Sequence, residues 1–207
     1  WHFGILGWLF KIKRRIGFNR NGEGFANNKN ILFDGSKHEI DYNLKLGKIV
    51  NATMGDNKVE TFPNKRDEKF AERFLNRNSI KGGIIGIAPG GAKNPGQEMK
   101  NKRWPLERYI ELCNKINKKY SIILFGGQND TKINEKIILE SPNKKIFNFS
   151  GKISIGESLA LIKKCDLFIS HDSGPLHLAS TSCKRIISLF GATPPKRFAP
   201  KRSKIIQ

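Results

Sequence analysis

Apolar residues in this chain fall into two patterns. From residue 82 onward, short continuous apolar runs alternate with segments in which apolar residues recur every three or four positions. Residues 84–88, 121–125, 167–170 and 186–190 are largely apolar runs of the first kind and predict buried strands, and 145–149, K-I-F-N-F, reads as a further strand. Leu106, Tyr109, Ile110, Cys113 and Ile116 form a stripe at helical spacing behind Trp104-Pro105. Residues 131–139 predict a second helix, and a third runs to Lys164 from the capping-box spacing of Ser154 and Glu157. A fourth follows Pro175, with Leu176, Ala179 and Cys183 on one face. Strands alternating with helices predict an α/β fold with a doubly wound parallel sheet and right-handed crossovers.

The first part of the chain patterns differently. Residues 4–12 are apolar and predict a short helix, 15–18 a strand, 19–30 a Gly/Asn-rich loop, Asp34-Gly35 a turn and 37–50 a helix. His38 reads as a residue at the start of that helix, facing an interdomain cleft. Residues 51–81 are polar, carry Pro63 and many charges, and read as an irregular interdomain connection.

In an open parallel sheet, ligands bind outside the carboxyl ends of the strands. Three such ends carry candidate groups: Gly90, Gly91 and Ala92 after residues 84–88; Gly126, Gly127 and Gln128 after 121–125; and Asp172, Ser173, Gly174, Pro175 and His177 after 167–170. Asp172 or Ser173 can cap the helix that follows, Pro175 fits its first turn, and Gly174 admits close approach of a ligand. The first N–H groups of that helix suit an anion. Lys102 and Arg103 hang from the loop 93–103, where a pyrophosphate gains charge-assisted hydrogen bonds from them. Each loop alone also reads as a plain tight turn with solvated cations; three loops on one edge favour a binding rim.

Other chemistries find no support. The loop 90–103 lacks the lysine-hydroxyl ending of a Walker A motif, and no G-x-G-x-x-G follows a strand. His171, Asp172 and Ser173 are adjacent and cannot relay protons side chain to side chain; His171 reads as a strand-end residue with a backbone hydrogen bond. The histidines and cysteines lack zinc spacing, and no paired acids point to a metal. Cys113, Cys165 and Cys183 sit far apart in apolar patterns, as reduced core residues do.

Charge then enters. Lysine and arginine number 38 against 18 acids, a formal net charge of +20 over 207 residues. Such a balance fits an anionic partner, and it equally fits a lysine-rich compositional bias. No apolar stretch is long enough to span a membrane. The chain starts at Trp1 rather than Met and stops at Gln207 just past a turn-like stretch, which reads as a fragment cut at both ends.

HDSGPLHLAS at 171–180, followed by ISLFGATPP at 187–195, resembles the signature of glycosyltransferase family 9, the ADP-heptose:lipopolysaccharide heptosyltransferases. KRWP at 102–105 matches the family's lysine before a Trp-Pro pair, and RRIGFNRNGEGF with FDGSKHEIDYNLKLGKIV resembles the closing part of its N-terminal domain. The resemblance implies a GT-B fold of two Rossmann-like domains. Residues 1–50 would end a truncated N-terminal acceptor domain, 51–81 would connect, and 82–207 would form the C-terminal nucleotide-sugar-binding domain.

It further implies that Asp172, Ser173, Gly174 and His177 hold the sugar nucleotide and that Lys102 contacts the diphosphate. Gly191-Ala192-Thr193-Pro194 resembles the family's loop near the ligand. The chain departs from the family pattern at Gly91 and Ala92, where hydroxyl residues are common, so contacts there would come from backbone N–H groups. It departs again at Gln128, where an acid is common. The implied reaction is inverting, metal-independent transfer of heptose from ADP-heptose to the lipopolysaccharide inner core, without a cofactor, at the cytoplasmic face of the inner membrane. The catalytic base is expected upstream of these residues, so a fragment such as this binds donor without turnover. An anionic core acceptor and peripheral membrane contact are the implied partners, nucleic acid is not, and two alternatives stay open: a UDP-sugar transferase or epimerase on the same fold, and a basic nucleic-acid-binding module.

Overall fold

The structure, a computed structural model, describes residues 2–53, 55, 58–91, 93–94, 97–116, 118–141 and 145–207. It divides into two compact units, one of Trp1–Lys58 with Lys196–Phe198, the other of Val59–Pro195 with Ala199–Gln207.

The first unit contains α1 (His2–Leu9), β1 (Ile16–Asn19), β2 (Lys29–Leu32) and α2 (Glu39–Ile49). β1 and β2 pair in parallel, Ile16 opposite Lys29. β2 lies in and just past the stretch read as loop; its KNIL sequence offers one buried apolar position, Ile31, too few for an alternation signal. Phe33 packs on Phe18 and Tyr42, with ring centroids 5.3 and 4.2 Å apart, and the Arg20 guanidinium stands 3.7 Å from the Phe33 centroid. His38 caps α2, its Nδ1 accepting from the Ile40 N–H at 3.2 Å.

The second unit opens with α3 (Lys65–Arg77), which corrects the reading of 51–81 as irregular. Asn64 and Asp67 form a reciprocal capping box. Phe74 packs edge-on against Phe147 and Phe149, so a charged sequence still has an apolar face to bury. Then follow β3 (Ile84–Ala88), the two-residue strands β4 (Lys93–Asn94) and β5 (Gln97–Glu98), α4 (Leu106–Ile116), β6 (Ser121–Leu124), α5 (Thr131–Leu139) and β7 (Ile146–Asn148). After them come α6 (Ile155–Lys164), β8 (Leu167–His171), α7 (Gly174–Ser180), β9 (Ile186–Leu189) and, beyond α8 (Pro195–Phe198), whose Lys196–Phe198 belong to the first unit, β10 (Ser203–Ile206). Cys183 lies past the end of α7, so of the residues expected on its apolar face only Leu176 and Ala179 are helical and buried.

Six strands form one parallel sheet in the order β10-β9-β8-β3-β6-β7. From β3 the chain steps outward to β6 and β7, then returns to lay β8 on the other side of β3. Adjacent strands that leave in opposite directions make a topological switch point, and the crevice falls at the carboxyl ends of β3 and β8. Ala88 stands opposite Ser170 there. Beneath it, Ile85, Ile87, Ile122, Leu124 and Ile169 of the sheet pack with Tyr109, Ile110 and Cys113 of α4 and Ile137 of α5. The three cysteines are free thiols, Cys113 and Cys165 buried.

Candidate functional site

β8 ends on His171, which is wholly buried, and Asp172 follows, 9% exposed. Ser173 takes the N-cap position of α7, yet neither expected side-chain cap forms. The Ser173 hydroxyl meets that of Ser170 at 3.0 Å, and Asp172 faces side chains instead. Pro175 sits in the first turn as expected. A Cβ placed on Gly174 would meet nothing within 4 Å, so the space beside that turn is open.

Lys102 closes a 3-10 turn of Lys100–Lys102, and its Nζ donates to Asp172 Oδ2 at 2.9 Å. His177 Nε2 lies 3.5 Å from the other oxygen, Oδ1. The structure thus gathers Lys102, Asp172 and His177, the last from within α7, at one point of the rim, although Lys102 and Asp172 lie 70 residues apart in the chain. Burial raises the Asp172 carboxyl, but the hydrogen bonds of His177 and Lys102 and the Lys102 charge outweigh it and hold the group well below the usual carboxylate range. The loop after β9 closes against the same segment: a Cβ on Gly191 would stand 2.9 Å from the Asn101 carbonyl.

The turn after β3 is held differently from expectation. Gly91 adopts φ +93°, a left-handed conformation that suits glycine. Its N–H donates to Asp130 Oδ1 at 2.7 Å, so the backbone donor expected to face a diphosphate is already engaged. Arg103, expected to offer its charge to the same group, donates from Nε and Nη2 to the Gly91 carbonyl at 2.9 and 2.6 Å. Gly90 is buried under Asp130. Ala92 lies outside the described residues.

Gln128 is exposed at the carboxyl end of β6, one strand out from the switch point. It opens the 3-10 turn Gln128–Asp130, and the turn after β7 presses on it, since a Cβ on Gly151 would stand 2.9 Å from the Gln128 Cα. The His171 ring lies between the Tyr109 hydroxyl, 3.4 Å from Nδ1, and the β3 turn. Burial, reinforced by the neighbouring Arg103 charge, pushes its pKa down to about 4, so it is neutral near pH 7. Asp130 was not singled out from the sequence. The available signal was an acid three residues past a glycine pair and immediately before a helix.

Residues 3–207 match the model of glycosyltransferase family 9 (heptosyltransferase). The chain belongs to glycosyltransferase family 9. Among curated family members, it is 29% identical over 203 residues to the lipopolysaccharide core heptosyltransferase OpsX of Haemophilus influenzae, covering 95% of this chain and 56% of that protein. Among solved structures, it resembles a family 9 glycosyltransferase from Veillonella parvula with TM-score 0.79 and 21% identity, over 98% of this chain and 58% of that one. It also resembles the E. coli ADP-heptose lps heptosyltransferase II with TM-score 0.73 and 19% identity, over 98% of this chain and 64% of that one. These likenesses show the GT-B type of α/β fold over the part of those structures that the chain covers. The chain spans about half the length of the curated relatives it matches. No helix among the described residues is long and apolar enough to cross a membrane.

Proposed function

We propose that this chain is the donor-binding part of a heptosyltransferase that moves heptose from ADP-heptose to the lipopolysaccharide inner core, by inversion and without a metal. The observation that carries the reading is the Lys102–Asp172–His177 group at the switch point of a family 9 chain. The ammonium of Lys102 has three donors and gives one to Asp172, which leaves two for phosphate oxygens. Asp172, kept ionised, accepts from sugar hydroxyls while fixing the ammonium over the first turn of α7. As the sugar leaves, charge grows on the diphosphate, and Lys102 with the amino end of α7 stabilises it. Gly90, Gly91, Gln128, Ser173, Gly174 and Pro175 complete the donor seat around this centre.

Residues 1–50 are then the end of the acceptor half, 51–81 the connection and 82–207 the donor half. No residue of this chain is assigned as the base. The net charge of +20 supports an anionic acceptor and peripheral contact with the cytoplasmic face of the inner membrane. Calorimetric titration tests the reading: ADP and ADP-heptose bind, UDP binds at least tenfold more weakly, EDTA changes nothing, and Lys102→Ala abolishes the heat. A preference for UDP overturns the donor assignment. Cosedimentation with phosphatidylglycerol vesicles but not with phosphatidylcholine vesicles tests the membrane contact.

A further inference from the structure

Asp130 is 7% exposed, and both of its carboxylate oxygens are occupied by backbone N–H groups from two different strand ends. Oδ1 accepts from Gly91, in the turn after β3, at 2.7 Å; Oδ2 accepts from Gly127, in the turn after β6, at 2.8 Å. The glycines around it leave room for that carboxylate. A Cβ on Gly90 would lie 2.2 Å from Asp130 Oδ1, and one on Gly126 would lie 2.7 Å from the Asp130 Cβ. From Gly91 the connection continues. Its carbonyl takes the Arg103 guanidinium, and a Cβ on Gly91 would stand 3.2 Å from Ser173 Cβ.

We propose that Asp130 is a positioning residue of the donor seat: its carboxylate ties the β3 turn to the β6 turn and so sets Gly91 against Ser173, at the mouth of the crevice where the diphosphate lies. The inference rests on the donor-site reading above. It explains why two glycine turns flank one buried acid, and it assigns the Gly91 N–H to the scaffold instead of to the ligand. A carboxylate bound by two N–H groups is held more firmly than a neutral acceptor in its place, because both hydrogen bonds are charge-assisted. The turn it fixes then meets an incoming diphosphate already shaped.

The test uses the chain as it stands, with ADP and adenosine as probes, and two variants. Asp130→Asn keeps the shape but turns an N–H donor toward a backbone N–H. Gly90→Ala keeps the acid and pushes it aside. Each should weaken ADP at least tenfold and adenosine less than threefold, and each should speed amide exchange at Gly91 and Gly127 while other core amides keep their protection. ADP affinity within twofold of the parent in both variants overturns the proposal, as does an equal loss of ADP and adenosine, which marks general loosening. If Asp130→Asn fails to fold, Gly90→Ala decides the question by the same criteria. A parent chain that binds no ADP refutes the donor-site reading itself, and the proposal with it; a parent that binds ADP and variants that bind equally well refute the proposal alone.

Discussion

Two carboxylates stand on the same edge of the six-stranded sheet, and they do opposite things. Asp172, at the end of β8, faces the ammonium of Lys102 and the ring of His177. Asp130, beyond the end of β6, faces the N–H groups of Gly91 and Gly127. Burial is similar, 9% and 7% exposed. The difference lies in the partners. A side-chain ammonium on a flexible stem can share itself with a ligand. A backbone N–H in a glycine turn cannot turn toward a ligand without the turn changing shape. On the donor-site reading proposed above, one acid therefore tunes the charge that a diphosphate would meet, and the other fixes the geometry in which it would meet it.

The largest expected effect separates the two directly. Lys102→Ala strands a mostly buried carboxylate, which costs about 3 kcal/mol of stability by the measure of a broken buried pair. Urea unfolding reads that loss. Adding Asp172→Asn removes the stranded charge and should restore most of the stability, while ADP binding stays lost. Recovery of binding in the double variant would place the phosphate away from Lys102.

Next in size is an effect of pH. His171 titrates near 4 in the folded chain against about 6.5 unfolded, because burial and Arg103 disfavour its charged form. Its contribution is complete above pH 6.5 and is lost as the pH falls toward 4, since the unfolded chain takes up the proton first; the total is about 3 kcal/mol. Asp172 acts lower. Its carboxyl is depressed, so its share persists above the unfolded value of about 3.9 and goes only as the pH falls below that. Unfolding free energy should thus drop between pH 6.5 and 4.5, and His171→Gln should flatten that slope while Asp172→Asn leaves it in place.

The parts of this architecture that were legible beforehand are those in which local pattern and burial agree. β3, β6 and β8 are predominantly apolar and buried because both sheet faces are covered, and α6 announces itself by Ser154 and Glu157. α3 hid because its charges outnumber Phe70, Ala71 and Phe74, whose helical spacing becomes visible once Asn64 and Asp67 are read as a cap. β10 hid because an edge strand leaves Ile205 and Ile206 half exposed among basic residues. At the rim, Lys102, Asp172 and His177 were legible because one turn carries two of them and the Trp-Pro pair marks the third. Asp130 was not, since its role depends on Gly91, 39 residues upstream, and on a carboxylate fitting a space that only folding creates.

The smallest expected effect asks whether distance or burial gives the rim pair its weight. Lys115 Nζ and Glu111 Oε1 on α4 stand 2.7 Å apart, closer than the 2.9 Å of Lys102 and Asp172. Their side chains are 71% and 47% exposed, against 15% and 9% at the rim. Water and salt screen the exposed pair, and holding two long side chains together offsets much of what attraction remains. Lys115→Gln should leave the melting temperature within about 2 °C of the parent and leave ADP affinity unchanged. Raising the salt to about 1 M, where the screening length falls to about 3 Å, should erase even that shift but keep most of the loss caused by Lys102→Ala. Equal salt sensitivity in the two variants would mean that the rim pair, too, is an ordinary surface contact, and that the contrast between Asp172 and Asp130 is one of position alone.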